Sequence, residues 1–120
     1  MRKGYKAEWE LFHLLWESGY AVARVAGSGS SSMPACDLIA GNGKEKLAIE
    51  VKACRNDKKY IAKKQLQELM EFAKTFGLKP VVFVKFFRKG WYAFDVKDLK
   101  QVKNFFVADI KSGKLWRNEK

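Results

Sequence analysis

The sequence predicts a single α/β domain, a mixed sheet flanked by helices. Three observations carry that reading. Hydrophobic periods follow the order helix, three strands, helix, two strands. A continuous apolar run, Val81-Val82-Phe83-Val84, reads as a strand covered on both faces. The chain has 120 residues, enough for one core but not for two.

The first helix is expected over 4–18. Leu11, Phe12 and Leu15 repeat at helical spacing, Ala7, Leu14 and Trp16 widen the stripe, and Gly19 stops it. Residues 20–26 read as a strand. Gly27-Ser28-Gly29-Ser30-Ser31-Ser32 follows as a loop whose amides and hydroxyls suit phosphate. It lacks the lysine of a Walker A loop, which argues against nucleotide binding. Asp37 opens the next strand, Leu38-Ile39-Ala40. Asn42-Gly43 then turns the chain into the strand Leu47 to Lys52.

Arg55 to Lys59 is a basic turn, and a second helix is expected over about 60–76. Its core face is Ala62, Leu66, Leu69, Met70, Ala73 and Phe76, with Gly77 as cap. Phe72 lies off the stripe, either as core rim or, beside Lys63, Lys64 and Lys74, as a stacking surface for a base. The apolar strand from Val81 pairs with Trp91 to Val96 across Arg88-Lys89-Gly90. Lys97 to Lys103 suggests a short helix. Phe105 to Ala108 and Leu115-Trp116 are expected to pair through Ser112-Gly113, either as a surface shared by two copies or as the rest of the domain's own core.

Charge narrows the function. Lys and Arg number 24 against 13 acids, a net charge of +11, which points to nucleic acid or an anionic surface. No stretch approaches 18 apolar residues, so no membrane span is expected. Met1-Arg2-Lys3-Gly4 lacks a following signal core, so the expected location is cytoplasmic. Cys36 and Cys54 have no metal spacing and are expected to be reduced. His13, the single histidine, stands apart from any Cys or carboxylate cluster and reads as a surface or packing residue.

The chemistry concentrates in 34–52. Strand alternation puts Leu47, Ile49 and Val51 on one face and Ala48, Glu50 and Lys52 on the other. Ionised groups inside an apolar strand need a partner or a metal. A hairpin brings Asp37 beside Glu50, so two carboxylates meet next to an ammonium, a set suited to a cation with hard oxygen ligands such as Mg²⁺. Lys52 would orient water or neutralise charge on phosphate. The plain alternative is a surface Glu–Lys pair. Glu8, at i−3, i−4 and i−7 from Leu11, Phe12 and Leu15, points to the buried stripe and is preferred as a site carboxylate over a solvent-facing helix-start acid.

Pro34…Asp37 and Glu50-Val51-Lys52 together resemble the signature of the PD-(D/E)xK nuclease superfamily. Within it the chain is similar to archaeal Holliday junction resolvases of the Hjc type. The similarity rests on Arg2-Lys3-Gly4 with Ala7-Glu8, Gly19 to Arg24, Ala26-Gly27-Ser28, Asp37 to Gly43 and Ile49 to Lys52. Leu69, Glu71-Phe72-Ala73, Phe76-Gly77 and Val84-Lys85-Phe86 extend it, over roughly 2–96 in all.

The resemblance implies a restriction-endonuclease-like fold. It implies a homodimeric endonuclease that cuts four-way DNA junctions with Mg²⁺, for which Mn²⁺ would substitute, and with no small-molecule cofactor. It assigns Glu8, Asp37 and Glu50 to the metal, Lys52 to transition-state stabilisation and Ser28 to the active site. Ser30, close by, is open to the same assignment. Arg2, Lys3, Arg24 and Lys85 become basic helpers on the DNA backbone, and Lys85 is expected to look into the same site as Lys52. Another nuclease on this fold, or a non-catalytic basic DNA-binding module, are the alternatives.

Overall fold

The computed structural model describes residues 3–25 and 33–117, with side chains from Lys6 onward. Arg2, Ser28, Ser30 and the side chain of Lys3 lie outside the described residues. The first helix, α1, spans Lys3–Glu17, and β1 spans Ala21–Arg24. Strands β2 (Leu38–Gly41) and β3 (Lys46–Cys54) form the expected antiparallel hairpin, with Leu38 opposite Ile49. Its turn runs over 42–45: the Asn42 side-chain oxygen accepts the amides of Lys44 and Glu45, at 2.9 and 2.7 Å. Gly43 takes φ +92°, a left-handed conformation that favours glycine.

After β3 the chain departs from expectation. Residues 58–62 form a strand, β4 (Lys58–Ala62), so helix α2 starts only at Lys63 and ends at Phe76. Ile61 is buried and faces Phe106 of a strand more than forty residues away, a pairing invisible to local periodicity. The α2 start has no side-chain cap; the Lys63 amide donates instead to the Asn104 carbonyl at 2.9 Å. At the other end Gly77, at φ +92°, donates its amide to the Ala73 carbonyl, a left-handed cap. Leu66, Leu69 and Ala73 are buried against the sheet, whereas Ala62, Met70 and Phe76 are exposed. Met70 and Phe76 sit at the edges of the stripe, beyond the arc that the sheet covers.

Strands β5 (Lys79–Phe86) and β6 (Gly90–Asp95) pair antiparallel, while β5 runs parallel to β3. A parallel pair needs a long crossover, and β4 with α2 supplies it. The tail differs more. Asp95 and Asp98 cap each other around the 3₁₀ turn Val96–Asp98, and the expected helix gives way to β7 (Lys100–Val102). Strand β8 (Phe105–Asp109) lies between β4 and β7. Strand β9 (Lys114–Trp116) pairs instead with β6, Trp116 opposite Trp91. The two tail segments therefore do not pair with each other. They complete this domain's own core, with Val107 and Ala108 buried and the Trp116 ring 5.9 Å from that of Phe83.

The result is a six-stranded mixed sheet in the order β1-β2-β3-β5-β6-β9 and a second sheet β4-β8-β7. One face of the large sheet buries Leu38, Ile49 and Phe83 with Leu11 and Leu15 of α1. The other buries Ala48, Val82, Val84 and Phe94 with Leu66 and Leu69 of α2 and Ala108 of the small sheet. Each such Leu, Ile, Val or Phe side chain contributes on the order of 1.5–3 kcal/mol. The central strand β3 therefore sits between two apolar layers, which makes any charge on it conspicuous. No helix among the described residues is long and apolar enough to cross a membrane.

Candidate active site

Among the described residues the one buried charged side chain is Glu50, 7% exposed in the middle of β3. It projects, with Ala48 and Lys52, toward the α2 face. Its Oε2 accepts the Gln65 side-chain amide at 2.7 Å and lies 3.6 Å from the Lys52 Nζ. Burial first, then the field of Asp37, pushes its carboxyl up to about 8 against the pull of Lys52.

Asp37 precedes β2 and extends the hairpin ladder: its amide donates to the Ile49 carbonyl and its carbonyl accepts from Val25, both at 3.0 Å. Its side-chain Oδ2 accepts the Val51 amide at 2.8 Å, which fixes the carboxylate beside Glu50. Burial raises its carboxyl, while the Val51 amide, Lys52 and Arg24 oppose the rise. Glu8 comes from α1, half-buried as its place on the apolar stripe requires. Its Oε1 accepts from Arg24 Nε at 2.7 Å. Desolvation and then Asp37 raise the Glu8 carboxyl, and Arg24 lowers it. Arg24, at the end of β1, also lies over the Trp9 ring at 5.4 Å.

Three separate elements thus bring Glu8, Asp37 and Glu50 within each other's fields, with Lys52 and Arg24 as the nearby cations. In each acid one oxygen is held by the protein, through Arg24, the Val51 amide or Gln65. Among the described residues no three His, Cys, Asp or Glu side chains are gathered closely enough to hold a metal ion as they stand. The donor chemistry nevertheless fits a hard divalent cation, because the donors are carboxylate oxygens, and the burial that raises all three is a cost that a cation offsets.

Other candidates fall elsewhere. Lys85 does not look into the Lys52 site. The parallel register sets Lys85 opposite Ala53 and Val84 opposite Lys52, so Lys85 projects to the α1 face. There its Nζ donates to Glu10 Oε1 at 2.5 Å, and Glu10 Oε2 accepts from Trp91 Nε1 at 2.7 Å. Phe72 is half-buried, packs against the α2-side core and lies 5.5 Å from the Phe76 ring, a core-rim position. His13 is exposed and stacks beside Trp9. Cys36 is buried, its thiol pushed up to about 12 chiefly by burial, and both cysteines are free. Gln65 was not legible as a site residue: it stands in the polar first turn of α2, and only the packing of that helix on β3 turns it toward Glu50.

Comparison with known proteins gives the family. The family model described as archaeal Holliday junction resolvase (Hjc) matches residues 1–115. The crossover junction endodeoxyribonuclease Hjc of Archaeoglobus fulgidus is 40% identical over 107 residues, covering 89% of this chain and 79% of the relative. Its namesake in Methanocaldococcus jannaschii is 42% identical over 85 residues, covering 71% and 60%. A solved structure of the Archaeoglobus fulgidus Hjc superposes with a TM-score of 0.86 at 37% identity, covering 92% of each chain. Together with the buried Glu50–Lys52 strand, these matches show that the chain belongs to the archaeal Holliday junction resolvase family.

Proposed function

We propose that this protein resolves four-way DNA junctions by metal-assisted phosphodiester hydrolysis, as a homodimer that cuts two opposing strands. The observation that carries the reading is the buried Glu50, which shares its surroundings with Asp37, Glu8 and Lys52. The relatives named crossover junction endodeoxyribonucleases support it. Membership of this nuclease family implies a divalent metal; we assign Mg²⁺, with Mn²⁺ as a substitute, held by Glu8, Asp37 and Glu50. When bound, the cation supplies Lewis acidity toward the scissile phosphate and lowers the pKa of water.

The chain's own residues do the rest. The Val51 amide holds Asp37 and Arg24 holds Glu8, so both acids are pre-oriented. Lys52 places a cation where charge develops on the phosphate oxygens. Arg2, Lys3, Arg24 and Lys85 serve the DNA backbone, with Ser28 as the active-site serine and Ser30 beside it on the DNA. Phe72, packed on the core rim, has no role in this reading. Recognition is of branch shape and phosphates, with little base readout.

The test is a labelled synthetic junction incubated with protein and Mg²⁺. Symmetric nicks near the branch point are expected, with no product in chelator and none from a linear duplex of the same sequence. Asp37→Asn should bind the junction and leave it intact. Normal cutting by that variant would refute the site, and equal cutting of linear duplex would refute the substrate.

A further inference from the structure

Glu50 and Lys52 lie on one face of β3, yet their charged atoms stop 3.6 Å apart, short of a direct hydrogen bond. The gap is bridged by Gln65, the third residue of α2. Its Nε2 donates to Glu50 Oε2 at 2.7 Å, and its Oε1 accepts from Lys52 Nζ at 2.8 Å. A carboxamide carries a donor and an acceptor side by side at one planar end and stays uncharged. A carboxylate there would set negative charge against Glu50, and a lysine would set positive charge against Lys52. The amide is itself well anchored. Leu66 and Leu69 bury the helix beside it, and the Lys63 amide ties the first turn to Asn104 of the small sheet.

We propose that Gln65 is a positioning residue, which holds one oxygen of Glu50 and keeps the Lys52 ammonium from collapsing onto that carboxylate. The proposal rests on the nuclease reading above. It predicts that α2 is part of the active centre, although no residue of α2 belongs to the acid set. Groups that orient a metal ligand commonly contribute ten- to hundredfold in affinity or activity. The expected effect of Gln65→Met, close in shape and without either hydrogen bond, is therefore a fall in kcat of roughly tenfold to a hundredfold. KM for the junction should stay within about twofold, because Gln65 orders the acid and its lysine and not the DNA backbone contacts.

The experiment measures single-turnover and steady-state cutting of a synthetic junction by wild type, Gln65→Met and Gln65→Glu. Mn²⁺ titration calorimetry without DNA and a thermal melt accompany each variant. Support consists of a loss in kcat, weaker Mn²⁺ binding and unchanged junction affinity in a folded Gln65→Met protein. Gln65→Glu, which restores the shape but opposes Glu50, should not recover the rate. Gln65→Met with the wild-type rate and Mn²⁺ affinity overturns the proposal, as does a loss confined to junction affinity. If Gln65→Met does not fold, Gln65→Glu decides: wild-type rate and Mn²⁺ affinity in that variant overturn the proposal as well. A wild-type protein that binds the junction and cuts nothing instead refutes the nuclease reading, and this proposal falls with it.

Discussion

Replacing Glu50 by Gln should stabilise the metal-free protein while ending its activity. Burial and the neighbouring Asp37 lift the Glu50 carboxyl from 4.5 to about 8, with the attraction of Lys52 already included. A carboxyl whose folded pKa lies above its unfolded value holds its proton more tightly when folded. Its contribution is fully present below about 4.5 and is lost as pH rises through about 8. At pH 7 that loss is roughly 3 kcal/mol, from ~1.36 kcal/mol for each pH unit above 4.5. Relaxation of the site and entry of water reduce it to about 1.5–3 kcal/mol. Gln matches Glu in shape and carries no charge, so Glu50→Gln removes this cost. In a domain of this size about 4 °C accompanies each kcal/mol, so Tm should rise by roughly 6–12 °C at pH 7. Thermal melts in chelator at pH 4, 7 and 8.5 give the readout, with the gap near zero at pH 4 and widest at 8.5. A Glu50→Gln protein less stable than wild type at pH 7, or a gap that ignores pH, would refute the claim that this acid is strained by burial.

The remaining predictions concern packing and DNA. A Cβ added at Gly113 would come within 2.5 Å of the fully buried Phe94 ring. Gly113→Ala should therefore lower stability by about 1–3 kcal/mol, seen as a reduced urea midpoint; an unchanged midpoint would show that the ring yields freely. Junction binding should weaken on the order of tenfold or more between 50 and 200 mM salt, because a protein of net charge +11 binds largely by releasing counterions. A gel-shift series that is flat in salt would count against backbone-dominated recognition.

What the sequence by itself determined is local. The alternation of β3 put Glu50 and Lys52 on one face, the Asn42-Gly43 turn brought Asp37 alongside, and the helical period aimed Glu8 inward. Each follows from spacing over a few residues, since a strand or helix fixes side-chain direction within one turn of its own pattern. Only the tertiary structure decided the rest. The parallel register of β3 and β5 sent Lys85 to the α1 face, away from Lys52. The small sheet recruited β4 from what read as helix and took β8 from the tail, while β9 joined β6. Gln65 reached Glu50 because α2 docks across β3. These outcomes depend on contacts between residues far apart in the chain, and a charge pattern or a periodicity carries no information about which distant partner will cover it.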